Sequence, residues 1–230
     1  MDVYEHLYKA KRVKTAELGE PDDFIIDLEH VLAERECRRV LDVGCGAGRN
    51  ALFLARQGYY VVGVDISSTA LKMALRKADG PSLKECLFIR GTFLKLPFSN
   101  SQFNAVVSCY SIENQSLSKI RKALNEMKRV LVSRGVVLVT LHSTKHWRFG
   151  LGKQVGPRTF LTTERIDGKK VRFKTHFFRK EDVMGLFHNL DLGILSIKEI
   201  IREADKKRAH WITIAEKGLE QKFAQASFPR

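Results

Sequence analysis

The stretch from Val40 to Asn50 constrains the fold more than any other part of the chain. An apolar run, Val40 to Val43, breaks into glycines at Gly44, Gly46 and Gly48, and an apolar pattern at helical spacing follows with Leu52, Phe53 and Ala55. This reads as strand, tight turn, helix. Glycines at such a turn let a ligand approach the backbone closely, where a Cβ would clash. A second apolar run, Tyr60 to Val64, ends in Asp65. A carboxylate at the tip of the neighbouring strand is placed to accept hydrogen bonds from two ribose hydroxyls. Together these features predict a nucleoside-containing cofactor lying across the carboxyl ends of parallel strands.

The same alternation continues along the chain. Pro21 opens a helix with Asp22 and Asp23 in its first turn and a stripe of Phe24, Ile25, Leu28, Val31 and Leu32. Strands are predicted at 39–43, 60–64, 86–90, 103–109 and 136–141. Helices fall between them at 47–57, closed by Gly58, from Ser67, which can cap the helix carrying Leu71, Ala74 and Leu75, and from Ser118 to Leu131. Strand five is almost wholly β-branched or aliphatic, as a buried parallel strand should be. A helix at 181–190 is then followed by two close strands, Gly193 to Ile201 and His210 to Ala215. These are too near in sequence for a crossover and must pair antiparallel. The expectation is an α/β, doubly wound, seven-stranded sheet with its last strand antiparallel and helices on both faces.

A chain of 230 residues suits one domain over 1–230. Within it, residues 1–20, with Tyr4 and Tyr8 at helical spacing, read as an N-terminal lid. Residues 142–180 read as an insert, with Asp167-Gly168 marking a hairpin turn. No apolar run approaches a membrane span, and the charged N-terminus lacks a signal-peptide core. Cys37, Cys45, Cys86 and Cys109 form no CxxC pair and read as buried thiols in a reducing, cytoplasmic compartment. The net charge is +14, and the insert holds most of the excess, with eleven basic residues against Glu164 and Asp167. That excess is compatible with nucleic acid or with plain surface solvation. No pair of histidines has ligand spacing on an assigned helix with a third partner, so no metal site is expected.

A dinucleotide fingerprint wants its third glycine three residues after the second, but Arg49 stands there. The pattern Asp42-x-Gly44-x-Gly46-x-Gly48 instead resembles the first motif of class I S-adenosylmethionine (SAM) methyltransferases. Its continuation through Gly48-Arg49-Asn50 to Gly58 is similar to the type 11 and tellurite-resistance branch. The resemblance implies SAM as cofactor, with S-adenosylhomocysteine as product. It implies that Asp42, Gly44, Cys45, Gly46 and Gly48 hold the methionine end, with Asn50 beside them. Arg49 either pairs with the cofactor carboxylate or faces solvent, and both readings stay open. Asp65 is implied at the ribose, with Ile66 against the adenine. Thr92 stands where the family usually has an aspartate for the adenine amino group, and the Phe93 N–H remains available to a ring nitrogen. The main chain at Ser108 and Cys109 is implied to face the methionine moiety, with Tyr110 and Glu113 near the sulfonium.

The acceptor is far less defined. Tyr4, Tyr8, Tyr110, His142, His146, Trp147, His176 and Phe177 are candidate acceptor-site residues, and Tyr110, His142 and His176 are the candidates for a catalytic role. A histidine general base fits the chemistry, although thiolate, amine and chalcogen acceptors need none. A small-molecule acceptor is the leading expectation. An RNA or protein methyltransferase using the basic insert is the alternative, and a non-catalytic SAM-binding protein is the third reading.

Overall fold

In the computed structural model, residues 3–9, 19–78, 85–166, 168–203 and 206–218 are described. In chain order the elements are α1 (Val3–Lys9), α2 (Asp23–Glu34), β1 (Arg39–Val43), α3 (Arg49–Arg56), β2 (Tyr60–Asp65), α4 (Ser68–Lys77), β3 (Cys86–Arg90) and β4 (Phe103–Ser108). They continue with α5 (Leu117–Val130), β5 (Leu131–His142), β6 (Lys153–Gly156), β7 (Thr159–Ile166), β8 (Lys169–His176), α6 (Lys180–His188), β9 (Leu192–Arg202) and β10 (Arg208–Lys217). Seven strands form one sheet in the order β3-β2-β1-β4-β5-β10-β9. β10 runs antiparallel to both β5 and β9, as the close spacing of the last two strands requires. The strand order reverses between β1 and β4, where open α/β sheets leave a crevice outside the carboxyl ends of their strands.

Period-two alternation divides the core. Val40, Ala105, Val107, Val136 and Leu138 face α2 and α3, against Ile25, Leu28, Leu32, Leu52 and Leu54. Leu41, Val43, Val106, Val137 and Val139 face α5 and α6, against Ile120, Leu124, Met127, Val183 and Phe187.

Several boundaries depart from the sequence reading, among them these three. The first long helix begins at Asp23, because Asp22 has an extended backbone as its N-cap and sends its side chain elsewhere. α3 begins at Arg49, because Gly48 sits at φ +83° and cannot be helical. β5 begins at Leu131, five residues before the predicted start, through a register shift opposite Phe103 and Ala105. The predicted Ser67 cap is present, its Oγ accepting the Ala70 N–H at 3.1 Å.

The segment after β5 contains a second, three-stranded antiparallel sheet in the order β6-β7-β8. Asp167 lies outside the described residues, while the β7–β8 register runs out to Ile166 opposite Lys169. The small sheet is tied to the main one where the Phe178 N–H donates to His142 O and the Thr144 N–H to Phe178 O. Trp211 Nε1 also donates to Phe178 O at 2.9 Å. Residues from Leu219 onward lie outside the described residues.

Candidate functional site

The glycine turn meets the end of β2. The N–H groups of Gly44 and Cys45 both donate to Val64 O, at 2.7 and 3.1 Å. Gly44 and Gly46 have φ of +75° and +54°. A Cβ on Gly44 would sit 1.7 Å from Ser111 Oγ, and one on Gly46 would sit 2.3 Å from the Tyr8 hydroxyl. Asp65 is buried at the edge of this turn. Its Oδ2 accepts the Gly46 N–H at 2.9 Å and its Oδ1 the Ser67 N–H at 2.8 Å. Asp65 therefore braces two loops.

Asp42 lies on the α3 side of β1, at 1% exposure. Burial, and then the nearby Asp65 charge, push its carboxyl up to about 7, against the Ala51 N–H and Arg49, which favour ionisation. Asp42 Oδ2 and the neighbouring Asn50 Oδ1 are buried without a hydrogen-bond partner. Unmet acceptors at a glycine cradle are what an ammonium-bearing ligand satisfies.

Arg49 does not face solvent. Its Nη2 lies 2.7 Å from Asp22 Oδ2, and Arg202 Nη2 lies 2.7 Å from Asp22 Oδ1. Two guanidinium groups thus share one buried carboxylate. No sequence pattern signals this triad, because its members come from the start of α2, the start of α3 and the end of β9.

α1 packs over the turn. Glu5 accepts from Ser67 Oγ at 2.7 Å, from the Thr69 N–H at 3.1 Å and from Thr69 Oγ1 at 2.8 Å. Burial opposes its ionisation, but these donors hold its carboxyl down at about 2. Tyr8 reaches Gly46 from the same helix. The remaining residues expected at the cofactor lie at or just after the ends of β2, β3 and β4. Ile66 is half-buried, and its carbonyl accepts from Arg90 Nε. Thr92 Oγ1 accepts the Leu94 N–H at 3.2 Å, closing its own loop. Phe93 packs on the core. Ser108 Oγ donates to Val43 O at 3.0 Å, and Cys109 lies beside the α2 and α3 core.

The expected acceptor residues separate into three groups. His142 and His210 are direct register partners on β5 and β10. Their ring centroids are 5.0 Å apart, and His146 stands 4.4 Å from His142 and 5.4 Å from His210. Phe177 stacks on His142 at 5.5 Å, and Tyr110 meets His210 edge-on at 5.0 Å. Tyr110 is held at φ +53°, with its N–H donating to Thr140 Oγ1 at 2.7 Å; that hydroxyl in turn donates to Glu113 Oε2 at 3.3 Å. Glu113 is buried beneath the cluster, 3.6 Å from His142 Nε2 and 3.5 Å from His210 Nε2. Burial opposes its charge, yet His142 and His210 draw it down to about 2. Burial lowers His142 to about 4 and His146 to about 3, so both rings are neutral at pH 7.

His176 belongs elsewhere. It precedes Phe177 and so points to the opposite side of the strand, with Nδ1 2.7 Å from Thr159 Oγ1 and its ring against Phe178. It lines a separate cleft with Arg121, Arg158, Lys174 and Asp182. Trp147 is half-buried under Arg148 and Lys206, whose charges lie 5.2 and 4.0 Å from its ring. Tyr4 and Tyr8 lie on α1, with the Tyr8 hydroxyl at Gly46.

Residues 40–135 match a family described as a methyltransferase domain. An uncharacterised methyltransferase of Bacillus subtilis is 33% identical over 119 residues, covering 50% of this chain and 46% of that protein. A demethylmenaquinone methyltransferase of Thermus thermophilus is 36% identical over 108 residues, covering 46% of this chain and 48% of that protein. The chain thus spans about half the length of these two relatives. The crystal structure of a SAM-dependent methyltransferase from Methanosarcina mazei superposes with a TM-score of 0.68 at 24% identity, over 79% of this chain and 93% of that one.

Proposed function

We infer the activity of this protein from one premise: residues 40–135 form a methyltransferase domain of the class I SAM-dependent family. The proposed reaction is methyl transfer to a small molecule bound over the carboxyl ends of β4 and β5. One observation carries the cofactor assignment. Asp42 presents a buried, unpartnered carboxylate oxygen beside a glycine turn that has no room for side chains. Asp42 and Asn50 would hold the amino-acid end, Arg49 would add positive charge for its carboxylate, and Asp65 would take the ribose hydroxyls. Ile66, Thr92 and Phe93 would frame the adenine. Bound SAM supplies an activated methyl on a sulfonium, so the protein's task is placement and exclusion of water.

The chain's own residues fit that task. Tyr8 and Glu5 close α1 over the glycine turn. Tyr110, fixed by Thr140, stands between the turn and the histidine cluster. His142, His146, His210 and Phe177 form a compact, almost fully buried aromatic wall, which suits a small acceptor better than a polymer. The four unpaired thiols support a reducing, cytoplasmic setting. Among the described residues no helix is long and apolar enough to cross a membrane.

Calorimetry with S-adenosylhomocysteine tests the cofactor site. Saturable binding is expected, and Asp65→Ala should weaken it tenfold or more, since a buried hydrogen bond to a charged group is worth about 1.5–3 kcal/mol. Undiminished binding in that variant rules the assignment out.

A further inference from the structure

We propose that His142, His146 and His210 form a binding site for a divalent transition metal ion, zinc by preference, with Glu113 orienting two of the rings. The inference rests on the methyltransferase reading only in what the metal would do, not in whether it binds. The three imidazoles are 3, 5 and 7% exposed. One ring nitrogen from each lies within 4.8 Å of the other two. Four-coordinate zinc, with Zn–N bonds of about 2.0–2.1 Å, sets its nitrogens about 3.3 Å apart, so the rings need close by only about 1.5 Å.

Hydrogen bonding decides which lone pairs are available. His142 Nε2 lies 3.2 Å from Asn114 Oδ1, an acceptor, and faces Glu113 Oε1. That nitrogen therefore carries the proton, and Nδ1 is left with a lone pair. His142 Nδ1 is buried with no hydrogen-bond partner. His210 also turns its Nε2 to Glu113, at 3.5 Å from Oε2. A carboxylate behind two imidazoles fixes their tautomers and raises their basicity as ligands. His146 sits in the turn after β5 and accepts the Arg148 N–H at Nδ1, at 3.1 Å. It must give up that bond or turn its ring over to ligate, so loading repositions this turn.

Three imidazoles with a carboxylate nearby match zinc and its neighbours in the first transition row, and not calcium or magnesium, which take oxygen ligands. Three protein nitrogens leave a fourth position open, as catalytic zinc sites do. Tyr110 lies against His210, so the histidine cluster adjoins the proposed site of methyl transfer. The acceptor class that fits is a thiol or hydroxyl compound that coordinates through its reacting atom. Its X–H proton passes to solvent on coordination. The X lone pair then forms the bond to the methyl carbon, while the electron pair of the breaking carbon–sulfur bond returns to sulfur.

The test uses the full, untagged chain, stripped with a chelator and titrated with Co²⁺ alone. The expected result is one Co²⁺ per chain with the visible absorption of a four-coordinate nitrogen-rich site, and competition by Zn²⁺. His146→Ala and His210→Ala should each weaken uptake at least 100-fold, while His188→Ala leaves it unchanged. Failure of the unmodified chain to take up stoichiometric Co²⁺ overturns the proposal whatever the variants do, as does equal uptake by the double variant. S-adenosylhomocysteine calorimetry on the same samples separates the two readings. Cofactor binding without Co²⁺ uptake removes the metal alone, and Co²⁺ uptake without cofactor binding removes the methyltransferase reading alone.

Discussion

At the scale of single residues, Asp42 makes the sharpest statement. A carboxyl raised to about 7 by burial and by Asp65 is mostly neutral at pH 5.5 and half ionised at pH 7. An ammonium favours the ionised form, so binding releases a proton, and affinity rises with pH up to about 7. S-adenosylhomocysteine should bind about tenfold more tightly at pH 7 than at pH 5.5, and Asp42→Asn should abolish that slope while weakening binding at pH 7. The sign reverses for stability of the ligand-free protein. A carboxyl raised from 3.8 contributes stability below about pH 4 that is lost as pH climbs to about 7. Asp42→Asn should therefore melt at a higher temperature than the parent at pH 8 and at nearly the same temperature at pH 4. Gly44 supplies a steric counterpart. Its φ of +75° and the 1.7 Å approach to Ser111 Oγ mean that Gly44→Ala strains the backbone and displaces Ser111 together. A loss of about 1–3 kcal/mol in denaturant unfolding is expected.

Among the elements, α1 is the one whose attachment rests chiefly on polar contacts. Glu5 binds the first turn of α4 through Ser67, Ser68 and Thr69, an arrangement also favoured by the positive end of that helix. Because its carboxyl is depressed to about 2, the docking is complete above about pH 4.5 and fades as pH falls toward 2. Glu5→Ala should speed S-adenosylhomocysteine dissociation about tenfold, with most of the affinity change in the off-rate. Hydrogen exchange of the residue 3–9 and 67–70 amides should rise in parallel. An unchanged off-rate would mean that α1 does not cover the ligand. The small β6-β7-β8 sheet is the other appended element. Phe177 and Phe178, directly after β8, are buried, so the sheet is anchored at that end.

For the whole molecule the question is the +14 charge. Lys170, Arg172 and Lys174 are exposed along β8, on the side away from Phe177. If they serve only solvation, acceptor turnover should stay flat between about 50 and 200 mM salt, and reversing all three charges should leave it unchanged. An RNA acceptor would instead lose affinity by orders of magnitude over that range. The first outcome is expected, because the buried histidine wall near Tyr110 is too enclosed for a polymer to reach without opening the small sheet.

What the chain determined by itself was local. The glycine turn, the β-α alternation, the Ser67 cap and the antiparallel final pair were legible because each rests on backbone conformation or burial period within a few residues. The same holds for Asp42 and Asp65, whose places follow from standing at or just before the ends of two adjacent strands. Tertiary structure decided what depends on register between distant segments. His210 faces His142 because β10 inserts beside β5 in one particular alignment, and a slip of one residue would turn His210 to the other face. His176 leaves the group for the same reason, since it and Phe177 must point to opposite sides. Asp22, Arg49 and Arg202 meet only once α2, α3 and β9 pack together. Spacing along the sequence did not group the three histidines, because His210 stands 64 and 68 residues from His146 and His142; sheet pairing brings it beside them.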